Sequence, residues 1–145
     1  MRGRGCILCT GARWTYGGHP GYDGCQRGRL PIADGLGAAR DLFTSYRTRL
    51  NTLPPNFDCA EIADDFLDAL QCGSIYQIEA QDGKDFLVSE DGTRHPYRYH
   101  AVYVLDSVAF DPRFGDHAIP WSRYFAELQN HNPGRQLRYE IERSA

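Results

Sequence analysis

The sequence predicts an α+β fold in which N-terminal helices pack on a mostly antiparallel sheet. Three observations predict it. Apolar residues recur at helical spacing between residues 36 and 70. Val- and Tyr-rich runs, punctuated by Asp-Gly and Asp-Ser turns, fill residues 74–111. A short amphipathic run opened by a proline follows near residue 120. Helices and strands segregated along the chain favour antiparallel pairing, with the helices gathered on one side of the sheet.

Residues 1–35 carry more than half of the fifteen glycines, turn dipeptides such as Gly17-Gly18 and Pro20-Gly21, and no apolar periodicity. They read as an arm or linker ahead of a folded unit spanning 36–145. From Leu36 the apolar residues Ala39, Leu42, Phe43, Tyr46 and Leu50 follow a helical period, and Asp34 can cap that helix. Pro54-Pro55 stops it, since two prolines cannot continue a helix. The next helix has the strongest signal. Asp58 stands at its N-cap, and Cys59, Ile62, Ala63, Phe66, Leu67 and Leu70 form one apolar stripe. Glu61, Asp64, Asp65 and Asp68 read as its solvated face. Gly73 ends it as a left-handed residue.

The strands come next. Ser74–Ala80 and Phe86–Val88 are separated by Asp82-Gly83, and Asp91-Gly92 marks a further turn. His100–Leu105 turns through Asp106-Ser107 into Val108–Phe110, and Asp111-Pro112 closes that strand because proline cannot donate to a ladder. Pro120 opens a third helix with Trp121, Tyr124, Phe125 and Leu128 on one face. Leu137, Tyr139 and Ile141 alternate in a last strand.

Composition narrows the classes. The net charge of −3 argues against binding nucleic acid by charge alone, although the first 35 residues hold Arg2, Arg4, Arg13, Arg27 and Arg29 against Asp23 and Asp34. No signal peptide and no membrane-length apolar run is visible. Five cysteines cannot all pair within one chain, which suggests free thiols made in a reducing compartment.

The chemistry falls on three residues. Cys59 lies in the first turn of a capped helix, where unpaired N–H groups and the positive dipole end favour thiolate over thiol. On that stripe it also suits plain burial. His100 stands at the mouth of a strand. A two-residue turn at Asp106-Ser107 brings Asp111, on the partner strand, level with the start of the His100 strand. A carboxylate beside an imidazole fixes its tautomer and stabilises the imidazolium, the third role of a Cys-His-Asp arrangement. Asp116 is the rival orienter, beyond Pro112. Cys6, Cys9, His19 and Cys25 could form a small zinc knuckle, but their spacing fits no strong template and no metal site is assigned. Cys72 reads as packing, and His95, His117 and His131 as solvated residues in turn-rich contexts.

Asn56-Phe57-Asp58-Cys59 leading into the helix, Tyr99-His100-Ala101-Val102-Tyr103-Val104, and Val108-Ala109-Phe110-Asp111-Pro112 resemble the papain-fold toxin domains of bacterial polymorphic toxin systems. The same three blocks resemble the transglutaminase-like superfamily, and the likeness covers about residues 50–130. It implies a papain-like or transglutaminase-like fold and a cysteine-dependent amide hydrolase, a protease or a Gln/Asn deamidase, needing no cofactor. Cys59 is then the nucleophile, His100 the base and Asp111 the orienter. Papain-like proteases place an oxyanion-donating Gln shortly before the Cys. Leu53 holds that position here, so Asn56 and the Cys59 backbone N–H become the oxyanion candidates. Transglutaminase-like domains often carry Trp near the His, where this chain has Ala101.

The partners implied are a host protein as substrate and a cognate immunity protein, with neither membrane nor nucleic acid. The chain is expected in the cytoplasm when made, or delivered into a target cell as part of a larger toxin. The alternatives are a catalytically inactive binding module of the same fold and a transamidase.

Overall fold

The computed structural model describes residues 32–53 and 58–145. Helix α1 (Ile32–Thr48) is followed by a 3₁₀ turn (Leu50–Thr52) and helix α2 (Cys59–Leu70). Strand β1 (Ser74–Ala80) precedes a hairpin of β2 (Phe86–Glu90) and β3 (Thr93–Tyr97). Then come β4 (His100–Leu105), β5 (Val108–Phe110), β6 (Ile119–Pro120), helix α3 (Trp121–Asn130) and β7 (Leu137–Ser144). The main sheet has the order β6-β5-β4-β1-β7, with every neighbouring pair antiparallel. β2 and β3 form a separate two-stranded sheet. The α+β class with a mostly antiparallel sheet is therefore observed.

The helices do not gather on one side. Alternation along β4 sends Tyr103 and Leu105 to one face and Val102 and Val104 to the other. On the first face they join Phe43 and Tyr46 of α1 and Ile62, Phe66 and Leu70 of α2. On the second they meet Trp121, Tyr124 and Leu128 of α3 with Phe86 and Val88 of β2. The central strands are apolar on both faces, so each face needs a cover. Phe66 anchors the first core, fully buried, with its ring 5.1 Å from Tyr103 and 5.9 Å from Phe110. Burying such a side chain stabilises the fold by about 2–3 kcal/mol.

Several local details differ from the sequence expectation. α1 starts at Ile32, so Asp34 lies inside its first turn and does not cap it. Pro120 is the N-cap of α3, one residue ahead of the helix. Gln71, not Gly73, takes the left-handed position that ends α2 (φ 61°) and donates its N–H to Leu67 O. Gly73 (φ +89°) serves a close approach instead. A Cβ there would sit 2.6 Å from the Tyr103 hydroxyl, which itself donates to Cys72 O at 2.7 Å. The acids of α2 are more engaged than a solvated face. Asp65 accepts from the Tyr46 hydroxyl, and Asp64 and Asp68 pair with Arg143. Strand β3 was not among the expected elements; Pro96 lies within it and is tolerated there opposite Leu87 in a two-stranded hairpin.

Cys59 is a free thiol, but Cys72 is buried and disulfide-bonded, so free thiols throughout is not what the structure has. Residues 32–35, read as the end of the 1–35 arm, belong to α1; the rest of that arm, the partner of Cys72, the zinc-knuckle candidates Cys6, Cys9, His19 and Cys25, and the oxyanion candidate Asn56 lie outside the described residues. Among the described residues no helix is long and apolar enough to cross a membrane.

Candidate active site

Cys59 is the first residue of α2. The Asp58 carboxylate caps the helix by accepting the N–H groups of Ala60 and Glu61, both at 3.1 Å, and Asp58 O takes the Ile62 N–H. No described residue accepts the Cys59 N–H. The Cys59 side chain is half-buried, and its sulfur accepts the Ala101 N–H at 3.5 Å. Among the described residues the β4–β5 ladder stops at Tyr103, which leaves the Ala101 N–H to the start of α2.

His100 opens β4 and is fully buried. The turn joining β4 to β5 has both central residues left-handed, Asp106 at φ 53° and Ser107 at φ 62°, as a tight type I′ hairpin requires. That turn sets Leu105 opposite Val108 and Tyr103 opposite Phe110. Continued by one residue, the register puts Asp111 opposite Val102, on the face that His100 shares. The expected neighbours do meet: His100 Nε2 lies 3.0 Å from Asp111 Oδ2. The Asp111 backbone and side chain are fastened by a turn in which Arg113 N–H reaches Oδ1 at 3.3 Å and Phe114 N–H reaches the carbonyl at 3.0 Å.

A fourth residue completes the cluster. The Tyr124 hydroxyl, brought in by α3, donates to Asp111 Oδ2 at 2.6 Å and lies 2.9 Å from His100 Nε2. Burial and the Asp111 charge push Tyr124 well above its ordinary value, so its hydroxyl stays protonated and acts as a donor. Asp111 Oδ2 is then an acceptor, and Nε2 carries the proton shared between that oxygen and the tyrosine. The other ring nitrogen, Nδ1, is buried and has no hydrogen-bond partner among the described residues.

Burial alone would push His100 down. The electrostatic influence of Cys59 and the hydrogen bond and charge of Asp111 outweigh it and raise the group to about 10. Burial would likewise raise Asp111, but the hydrogen bond and charge of His100, then the Tyr124 hydroxyl, hold it below the usual carboxylate range.

One face of the imidazole is covered by Tyr97, ring centroids 5.4 Å apart and nearly parallel at 23°. The Tyr97 hydroxyl donates to Glu90 Oε1 at 2.6 Å.

Asp116, the rival orienter, is exposed and paired with Arg47 at 2.6 Å, away from His100. His95 and His117 are exposed and His131 is half-buried. A cavity of about 620 Å³ lies between the end of α1 and the 113–116 loop, and one of about 380 Å³ beside β2 and the 131–135 turn. Neither is lined by Cys59, His100 or Asp111. Among the described residues no cluster of three or more His, Cys, Asp or Glu could hold a metal ion.

Tyr124 and Tyr97 were not singled out in the sequence. Tyr124 sat within an apolar helix face, where its one distinguishing signal was a hydroxyl that needs a partner once buried. Tyr97 lay on a strand that the sequence reading did not assign. No family model, curated protein or solved structure matches the chain.

Proposed function

We propose that this chain is a cysteine-dependent amide hydrolase of papain-like type, a protease or a Gln/Asn deamidase, acting as a toxin or effector domain on a host protein. Cys59 is the nucleophile, His100 the acid and base, and Asp111 the orienter. One observation carries the reading: Asp111 and Tyr124 occupy His100 Nε2, while among the described residues Nδ1 has no other claimant and Cys59 is the group that most raises the ring. Hydrogen bonds between nucleophile and base are often long before substrate arrives and tighten in the complex.

The chemistry follows from that arrangement. The Cys59 thiolate attacks the amide carbonyl, forming a C–S bond and moving the carbonyl electron pair onto oxygen. The Cys59 backbone N–H, which no described residue uses, can donate to that oxyanion at the start of α2. As the intermediate collapses, the C–N bond breaks and His100 Nδ1–H protonates the leaving nitrogen. Water then attacks the thioester, giving its proton to Nδ1, and the C–S bond breaks to release the acid and restore the thiolate–imidazolium pair. An amine in place of that water would give transamidation. Asp111 keeps the Nε2 proton in place, so that Nδ1 is always the nitrogen that exchanges protons.

Expression in bacteria with mass spectrometry of host proteins tests the proposal. Toxicity that disappears in Cys59→Ala, with new backbone termini, indicates a protease; single amide-to-acid conversions at Gln or Asn without cleavage indicate a deamidase. Full toxicity in Cys59→Ala leaves a binding module in place of the enzyme.

A further inference from the structure

We propose that Tyr97 and Glu90 are positioning residues of the same site: the Tyr97 ring shields one face of His100 from water, and the buried Glu90 carboxylate pins that ring in place. The inference rests on the hydrolase reading above and adds two residues to it.

Three observations carry it. The Tyr97 ring is stacked on the imidazole, and a flat aromatic face against an imidazolium is an attractive contact that also excludes solvent. The Tyr97 hydroxyl ends on Glu90 Oε1 at 2.6 Å, which fixes the ring's tilt. Glu90 itself is 4% exposed, and its second oxygen, Oε2, has no hydrogen-bond partner among the described residues. Burying a carboxylate with one oxygen unsatisfied is unfavourable for folding. On the same face of β2 the residues before it are Phe86 and Val88, both in the core, so an apolar side chain would suit position 90 for stability. A costly polar group kept beside a reactive centre indicates a local requirement of that centre.

Ile78 of β1 pairs with His100 in the sheet and brings no titratable group; the remaining groups face the ring. They are Cys59 from α2, Asp111 after β5, Tyr124 from α3 and Tyr97 from β3, with Glu90 of β2 behind Tyr97. Asp111 and Tyr124 bond the ring at Nε2, Cys59 acts on it electrostatically, and Tyr97 covers its face. The role of Tyr97 is to keep water from screening the charge between Cys59 and His100.

The test is the rate of Cys59 alkylation by iodoacetamide against pH, with thermal melting measured on each variant. Tyr97→Leu should slow alkylation at neutral pH about threefold to tenfold, the scale of a lost cation–π contact. It should also move the low-pH limb of the profile to higher pH, because water reaching the ring weakens the pair. Tyr97→Phe keeps the ring and loses the pin, and should fall between Leu and wild type, matched by Glu90→Ala. Glu90→Gln still offers an oxygen to the Tyr97 hydroxyl and should restore the wild-type profile. A wild-type profile in Tyr97→Leu would overturn the proposal, as would a Glu90→Gln profile as impaired as that of Glu90→Ala. A change in melting temperature alone, with the profile unmoved, would reduce both residues to structural ones. His100→Ala separates the two readings. If it leaves Cys59 alkylation unchanged, the hydrolase reading fails. If it collapses alkylation while Tyr97→Leu does not, only this inference fails.

Discussion

Tyr124 and His100 converge on a single oxygen: the tyrosine hydroxyl donates to Asp111 Oδ2 at 2.6 Å, and His100 Nε2 meets the same atom at 3.0 Å. Asp111 therefore cannot turn away from the histidine without also breaking a bond to α3. The orientation of the imidazole is tied to the packing of a helix on the far face of the sheet from Cys59.

Tyr124→Phe should expose that dependence. It removes one hydrogen bond to a carboxylate, an interaction of about 1.5–3 kcal/mol, while the ring keeps its place against Trp121 and Phe114. Amide turnover should fall about tenfold or more through kcat, with KM little changed. An unaltered kcat would show that Asp111 holds His100 unaided.

Removal of the three primary residues should be unequal. Cys59→Ala and His100→Ala should each abolish turnover, because nucleophile and base act as a unit. Asp111→Ala should leave more, by a gap on the order of two powers of ten as in a well-studied serine protease. Single-turnover assays on purified variants with matched melting temperatures give the ranking. Equal residual activity in all three would contradict an orienting role for Asp111. Cys72 is unsuitable as a thiol control, since it is disulfide-bonded and buried.

Stability should vary with pH in a direction set by the same pair. His100 is raised from 6.5 to about 10, so its contribution is complete below pH 6.5 and is lost as pH climbs through about 10. Asp111 is held below 3.8, so its contribution is present above that value and is lost as pH falls through its lower folded value. Melting temperature should thus be highest between about pH 4 and 6.5 and decline on the alkaline side. In Cys59→Ala the largest influence raising His100 is gone, and the alkaline decline should shrink. Melting curves across pH 4–10 check this; an identical alkaline limb in the variant would mean that Cys59 and His100 are not coupled.

Gly73 should prove intolerant for two separate reasons. Its φ of +89° strains any L side chain, and an added Cβ would lie 2.6 Å from the Tyr103 hydroxyl and 2.8 Å from ring carbons of the same residue. Gly73→Ala should destabilise the fold by more than about 1 kcal/mol in urea unfolding. Tyr103 spans the gap between the end of α2 and β4, so a loss near zero would mean that this ring is free to move.

The elements that carry the site were legible because their signals are local. Asp58 and the apolar stripe behind it define the start of α2, and the His100–Leu105 and Val108–Phe110 runs appear with those bounds. The nearness of His100 and Asp111 was readable for the same reason. A two-residue turn leaves one antiparallel register, and register is arithmetic on sequence positions. What periodicity cannot express is which polar atom at the tip of a buried side chain meets which other. Tyr124 and Asp111 are brought together by the packing of α3, and Tyr97 reaches His100 from a hairpin that belongs to neither the sheet nor a helix. Asp116 lost its claim to a partner in α1, Arg47, that lies far away in sequence. Local patterning determined which face each element buries. The placement of α3 on the second face, and with it the hydroxyl that locks Asp111, was decided only in three dimensions, where a double-sided apolar sheet must be covered on both sides.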